Sequence, residues 1–196
     1  MAQIAFILAE MFEGSEFRVP YDRLKKAGHK ITIVGREAKE ELKGKGGKEK
    51  ARTERAIRDV SAEDFDALVI PGGYSPDKLR TNEDMVAFTR AIYDAGKPVA
   101  AICHAGSMLI EADIVDGKTV TSWPSIKTDL INAGADWVDR EVVEDNNLIT
   151  SRNPDDLNAF SEAILRHVQG QRAEPIESRP SAGLPRDEEQ EQPAGH

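Results

Sequence analysis

The feature of this sequence that most constrains its fold is the regular alternation of short apolar runs with segments of helical spacing. Apolar runs typical of strands lie at residues 4–9, 30–34, 67–70 and 98–102, and helical patterns lie at residues 16–27, 83–95 and 104–112. Gly28 and Gly96 follow the first two helical patterns, where a glycine commonly ends a helix. This order predicts an α/β sandwich, in which helices cover both faces of a mostly parallel sheet.

The last part of the pattern departs from simple alternation. Two strand-like segments, residues 137–144 and 148–151, flank a turn of Asp and Asn residues that is typical of a hairpin. A final helix is predicted to begin after Asn153, with Pro154 at its first position, and to run to about Val168. We therefore expect a hairpin and then a closing helix.

Composition predicts one domain and a tail. The chain of 196 residues is long enough for a domain with its own core. Residues 171–196 are rich in Arg, Glu, Gln, Pro, Ser and Gly, and we expect them to be a disordered tail on a domain of residues 1–170. The polar residues 36–58 are predicted to be a solvated loop beside a weak edge element. A basic binding patch is disfavoured there because acidic residues interleave the lysines.

Charge and cysteine content narrow the classes of function. The net charge of -9 disfavours nonspecific binding to nucleic acid or to anionic membranes, so neither is an expected partner. The apolar run at the N-terminus is too short for a signal peptide or a membrane span, and a single cysteine agrees with a reducing compartment. We therefore expect a cytoplasmic protein.

No cofactor or metal is expected. The turn after the first strand holds three carboxylates and one glycine, whereas a dinucleotide site needs a glycine-rich turn there. A cluster of Glu13, Glu16 and His104 does not have convincing spacing for a metal site.

Reactive side chains follow the predicted strands, and ligands of open parallel sheets bind beyond the carboxyl ends of the strands. Glu13 and Glu16 follow the first strand. Three residues apart at a helix start, they are either acids that complement the helix dipole or partners of a nearby group. Gly72 and Gly73 follow the third strand. They form either a simple turn or an oxyanion hole made of backbone N–H groups.

Cys103 is the only cysteine and lies where the fourth strand gives way to a helix start. It is either a small buried hydrophobic residue or a nucleophile whose thiolate the helix N-terminus favours. Lowering its pKa from about 8.5 to about 5.5 needs roughly 4 kcal/mol, of which a helix terminus supplies about 0.3–2. A protonated Glu13 or Glu16 that donates to the thiolate is the candidate for the remainder. His104 is either the general acid or base, reached through a sharp turn, or a solvent-facing histidine.

Four motifs in this order closely resemble the PfpI family of intracellular cysteine proteases and stress proteins, which belongs to the class I glutamine-amidotransferase-like superfamily. The motifs are Glu13-x-x-Glu16 with Val19-Pro20, the run Asp66-Ala67-Leu68-Val69-Ile70-Pro71-Gly72-Gly73-Tyr74-Ser75-Pro76-Asp77, Ala101-Ile102-Cys103-His104, and Thr121-Ser122-Trp123-Pro124. The resemblance covers roughly residues 3–169. Two departures are Ala105-Gly106, where the family usually has Gly-Pro, and the unusually polar residues 36–58.

The resemblance implies a flavodoxin-like three-layer sandwich with Cys103 on a nucleophile elbow and Glu16 hydrogen-bonded to its sulfur. It implies that Asp77 of a neighbouring subunit completes His104. The protein would then form a homodimer or higher homo-oligomer with a shared active site. The residues expected beside the substrate are Gly72, Gly73, Glu13 and Trp123. The resemblance implies that Gly73 and His104 supply the oxyanion N–H groups and that Trp123 is the aromatic residue that lines the pocket.

Family members are described either as peptidases or as enzymes that act on methylglyoxal and on sugar- or aldehyde-modified amines and thiols. We expect the second activity, glyoxalase III-like or deglycase-like, because a small dicarbonyl needs less room than a peptide. The expected partner is accordingly a small carbonyl substrate or a modified protein or peptide. The alternatives are an intracellular cysteine peptidase, and a non-catalytic redox sensor or stress-protective binding protein that uses oxidation of Cys103.

Overall fold

The predicted apolar runs pair into one large sheet in the computed structural model, which describes residues 1–170. The predicted tail, residues 171–196, lies outside the described residues. The strands in chain order are β1 (Gln3–Ile7), β2 (Lys30–Gly35), β3 (Glu41–Lys43), β4 (Lys50–Arg52), β5 (Arg55–Ala56), β6 (Ala67–Ile70), β7 (Val99–Ile102), β8 (Thr119–Val120), β9 (Asp136–Trp137), β10 (Val142–Asp145) and β11 (Leu148–Ser151). The large sheet has the order β10-β11-β7-β6-β1-β2-β5, in which all neighbours are parallel except β10 and β11.

Helices cover both faces of this sheet. They are α1 (Gly14–Lys26), α2 (Ser75–Leu79), α3 (Glu83–Asp94), α4 (Gly106–Glu111), α5 (Lys127–Asn132) and α6 (Leu157–Val168). Alternate strand residues face two separate cores. In β1, Ala5 and Ile7 pack with residues of α2 to α5, whereas Ile4 and Phe6 pack with α1 and α6. The architecture is the flavodoxin-like three-layer α/β sandwich that the sequence resemblance implied.

Turn residues end the elements where the sequence predicts. Gly28 and Gly96 have φ of +87° and +71°, the left-handed conformation of a glycine that follows a helix. The side chain of Asn153 accepts the N–H of Asp155 and so caps a 3-10 turn, Pro154–Asp156, that leads into α6.

No helix within residues 1–170 is long and apolar enough to cross a membrane.

Two details of the predicted secondary structure are wrong. The predicted hairpin exists between β10 and β11, but Trp137 belongs to β9, which pairs in parallel with β8 in a separate sheet. The helix predicted over residues 104–112 begins instead as a 3-10 turn, Cys103–Ala105, before α4. The physical reason is the left-handed backbone of Cys103, which a right-handed helix cannot contain, so the chain leaves β7 through a tight turn.

The polar residues 36–58 are not simply a solvated loop. β5 does form the expected weak edge against β2, but β3 and β4 form an antiparallel hairpin that the sequence analysis missed. The hairpin buries the side chains of Leu42 and Ala51 in the core shared with α1. Backbone hydrogen bonds from Met11 N to Lys43 O (2.7 Å) and from Lys45 N to Phe12 O (2.9 Å) fix it to the segment after β1. The hairpin is therefore part of the carboxyl edge of the sheet.

Candidate active site

The chain turns sharply at Cys103, which follows β7 directly and has φ of 63°. This left-handed conformation costs a non-glycine residue about 1–3 kcal/mol and persists only where the surrounding structure imposes it. The backbone N–H groups of His104 and Gly73 donate to the sulfur, and the residue is 8% exposed. The turn therefore presents a nearly buried sulfur to two backbone donors, as a nucleophile elbow does.

Glu16 lies in the first turn of α1 and is fully buried. Its Oε2 accepts the N–H of Gly72 at 2.8 Å, and its carboxyl group hydrogen-bonds to the side chain of Cys103. Its other oxygen, Oε1, is buried and accepts no hydrogen bond from an N–H or O–H group of the described residues. The interpretation of Glu16 as an acid that merely complements a helix dipole does not account for this burial beside the thiol.

Glu16 and Cys103 titrate as a coupled pair, in which both groups are protonated at pH 7 and Glu16 loses its proton first. Burial, reinforced by the charge of Glu13, raises the pKa of Glu16 to about 8 against the opposing hydrogen bond from Gly72. Burial and an ionised Glu16 raise the pKa of Cys103 to about 12, although the N–H groups of His104 and Gly73 oppose this. The sequence suggested that the site lowers the pKa of the Cys103 thiol. Beside an ionised Glu16, this pKa is raised instead. A Cys103 thiolate near neutral pH therefore requires that Glu16 keep its own proton.

The buried carboxyl of Glu16 predicts a pH-dependent stability. Between the ordinary pKa of 4.5 and the raised value of about 8, the folded protein holds a proton that the unfolded chain has lost. The stabilisation is complete below pH 4.5 and is lost as the pH rises toward 8, at a slope of up to about 1.4 kcal/mol per pH unit. Urea unfolding should therefore show a fall in stability from pH 5 to 7.5 that is smaller in Glu16→Gln. Equal falls in the two proteins would show that Glu16 ionises normally when folded.

His104 lies between the thiol and a serine. Its Nδ1 is 3.3 Å from Sγ of Cys103, and its Nε2 is 3.2 Å from Oγ of Ser125. The imidazole stacks on Trp123 with the ring centroids 6.2 Å apart and the planes 26° apart. Burial, together with the nearby charge of Lys45, lowers the pKa of His104, so the ring is neutral at pH 7. His104 is thus placed to exchange a proton at the sulfur.

The two glycines after β6 have different roles. The N–H of Gly72 donates to Glu16, so it is not an oxyanion donor. Gly72 was expected beside the substrate, but in the structure it holds the glutamate instead. Gly73 has φ of +77°, and a Cβ there would lie 2.5 Å from Glu13 N and 2.7 Å from Met11 O. Only glycine allows this approach, which aims the Gly73 N–H at the sulfur.

Glu13 meets a cation at the mouth of the site. Its Oε2 is 2.7 Å from Nζ of Lys45, and Ser15 Oγ donates to its Oε1 at 3.2 Å. Lys45 lies at the tip of the β3–β4 hairpin, whose docking on Phe12 brings it over the thiol. The Lys45 side chain is 46% exposed, so the pair forms a solvent-facing rim rather than a buried salt bridge.

These residues enclose a cavity of about 440 Å³, whose lining residues are Glu13, Glu16, Lys45, Gly73, Tyr74, Cys103, His104, Trp123 and Pro154. Tyr74 and Trp123 are 59% and 40% exposed and form an open aromatic side of the cavity. Asp77 is exposed on α2 and lines a different cavity, so the chain does not bring it to its own His104. Its contact with His104 of a neighbouring subunit stays a prediction. Within residues 1–170, no group of three His, Cys, Asp or Glu side chains could hold a metal ion.

The site also contains residues that were not predicted from the sequence, among them Lys45, Tyr74 and Ser125. Tyr74 could have been found, because it follows Gly73 at the same strand end. Lys45 is one of several lysines in a polar segment, and its position depends on the docking of a hairpin that has few apolar residues. Ser125 follows the motif that contains Trp123, but nothing in the sequence places its hydroxyl at the histidine.

A three-layer α/β sandwich that carries a cysteine on a strained strand-to-helix turn defines the class of proteins with a nucleophile elbow. Comparison with known proteins gives the family. A protein-family model described as "DJ-1/PfpI family" matches residues 2–167, and the chain belongs to this family.

Two curated relatives match nearly their full length. "General stress protein 18" of Bacillus subtilis is 46% identical over 164 residues, which are 83% of this chain and 95% of the relative. "Protein/nucleic acid deglycase 2" of Escherichia coli is 44% identical over 165 residues, which are 84% of this chain and 96% of the relative.

A solved structure agrees with the fold. A two-domain protein from Anabaena variabilis, with a DJ-1/ThiJ/PfpI-like domain and a ferritin-like domain, has a TM-score of 0.85 and 38% identity. The match covers 92% of this chain and 52% of that protein, so this chain spans about half of its length.

Proposed function

We propose that this protein is a cysteine-dependent enzyme that acts on reactive carbonyls, as a deglycase or a glyoxalase III-like enzyme in stress protection. The observation that carries the proposal is the sulfur of Cys103 between two backbone N–H donors and a buried Glu16 whose pKa lies above neutrality. The names of the relatives, a stress protein and a deglycase, support the same class of function.

The proposed chemistry begins with Glu16 protonated, and Cys103 passes its thiol proton to Nδ1 of His104. The thiolate then adds to the carbonyl carbon of the substrate, and the carbonyl electron pair moves to the oxygen. The N–H groups of Gly73 and His104 then donate to the oxyanion. The imidazole of His104, neutral at pH 7, moves protons between the adduct and the site.

The form of the cavity favours a small substrate. A volume of about 440 Å³ accommodates a dicarbonyl or the modified end of a side chain. The exposed rings of Tyr74 and Trp123 leave one side open, so an adduct on a larger molecule can enter while the rest stays outside. The Glu13–Lys45 pair at the rim offers both a donor and an acceptor to the polar groups of such a substrate.

A substrate panel tests the proposal. Methylglyoxal, methylglyoxal-modified amino acids and unfolded proteins are incubated with the enzyme before and after treatment with iodoacetamide. Because Cys103 is the only cysteine, this reagent blocks a single thiol. We expect turnover of a carbonyl substrate that disappears on alkylation.

Two other outcomes would contradict the proposal. Cleavage of unfolded proteins without carbonyl turnover would identify a peptidase. The intact mass of the protein after mild peroxide treatment reports oxidation of Cys103. Such oxidation without turnover of any substrate would identify a redox sensor.

A further inference from the structure

The loop after β8 is tied to the nucleophile turn. Trp123 N donates to Cys103 O at 3.3 Å, and the 3-10 turn Pro124–Ile126 follows directly. This turn places Ser125 so that its hydroxyl lies 3.2 Å from Nε2 of His104. The same imidazole faces the thiol through Nδ1. Both ring nitrogens therefore have a partner within one chain.

We propose that Ser125 is a positioning residue, which holds the His104 ring with Nδ1 toward Cys103 by a hydrogen bond at Nε2. This inference rests on the proposed function, in which His104 moves protons at the sulfur. The partner of one imidazole nitrogen determines which tautomer the ring adopts and how the ring is oriented.

A serine hydroxyl suits this position because it both donates and accepts. Beside a thiol, Nε2–H donates to Ser125 and the lone pair of Nδ1 faces the S–H group. Beside a thiolate, the hydroxyl of Ser125 donates to Nε2 and Nδ1–H donates to the sulfur. When the thiol becomes a thiolate, its proton passes to Nδ1, and the proton on Nε2 leaves to solvent through the exposed hydroxyl of Ser125. The ring is therefore neutral before and after the transfer.

The test compares Ser125→Ala with Ser125→Thr, which keeps the hydroxyl. Thr128→Ala is the matched control, since Thr128 is an exposed hydroxyl residue three positions along that does not line the cavity. The first measurement is kcat and KM on methylglyoxal. We expect Ser125→Ala to lower kcat about tenfold with little change in KM, and Ser125→Thr to restore it.

The second measurement does not require carbonyl turnover. The rate of alkylation of Cys103 by iodoacetamide is followed against pH, with Glu13, Glu16, Lys45 and Tyr74 as the titratable groups that line the cavity besides Cys103 and His104. We expect Ser125→Ala to shift this profile by about half a pH unit or more, so that alkylation at pH 7 is about threefold slower, because Nδ1–H no longer supports the thiolate. Ser125→Thr and Thr128→Ala should keep the wild-type rate.

Two results would overturn the assignment of Ser125. One is a Ser125→Ala variant with the wild-type alkylation profile, and the other is a Ser125→Thr variant as impaired as Ser125→Ala. If wild-type protein turns over no carbonyl, the proposed function fails, and the alkylation profiles alone decide the role of Ser125.

Discussion

Replacement of Cys103 by serine is expected to lower carbonyl turnover by at least about a thousandfold, since removal of a catalytic nucleophile has effects of this size or larger. A serine hydroxyl is far less acidic than a thiol, and Glu16, with its pKa raised to about 8, is too weak a base to take its proton. The measurement is kcat/KM on the carbonyl substrate that the wild-type protein turns over most rapidly.

The fold should survive this substitution, because serine and cysteine have similar shapes. Circular dichroism and urea unfolding serve as controls, and a stability within about 1 kcal/mol of wild type is expected. If Cys103→Ser retains turnover within tenfold of wild type, the chemistry does not use the sulfur and the proposed function is wrong.

The second large effect is expected at Gly72. A Cβ at this position would lie 2.5 Å from Glu16 Oε2, 2.8 Å from Cys103 Cβ and 2.9 Å from Ile102 O. A contact below 3.0 Å requires a shift, and the backbone of Ile102 and the short side chain of Cys103 cannot swing away. We expect Gly72→Ala to separate Glu16 from the thiol. A displacement of this kind costs about a hundredfold in rate, and overpacking costs about 1–3 kcal/mol of stability.

Gly46→Ala is the matched control for this variant. No atom lies within 4 Å of a Cβ at Gly46, so the same chemical change there should leave activity unchanged and stability within about 0.5 kcal/mol of wild type. Both variants are compared by urea unfolding and by kcat/KM. Wild-type activity in Gly72→Ala would show that close packing of Glu16 on the thiol is not required.

Much of the site could be predicted because it follows from the order of strands. β1, β6 and β7 are adjacent in the sheet, so the segments that follow them meet at one edge. This places Glu16, Gly73 and Cys103 together, although they are far apart in sequence. The apolar runs of these strands were recognisable because helices bury them on both faces.

The other features of the site depend on tertiary contacts and on burial, which no local sequence pattern encodes. Lys45 reaches the cavity through a hairpin whose strands are mostly charged. Ser125 meets His104 through a loop whose path is set by packing on the nucleophile turn. The raised pKa values of Glu16 and Cys103 result chiefly from burial. The sequence indicated a helix terminus and a donating carboxyl as influences on the thiol pKa, but it does not show how deeply either group is buried.

The docked hairpin has a consequence for the evolvability of the protein. Cys103 and Glu16 are held by the central sheet and α1, whereas one rim of the cavity comes from the tip of a peripheral hairpin. Gly46 lies next to Lys45, and no atom lies within 4 Å of a Cβ placed there. Under the proposed function, side chains at this tip that are larger than alanine would change which carbonyl compounds enter, while the chemistry at Cys103 is preserved. Libraries randomised at the hairpin tip would give new specificities at little cost in folding.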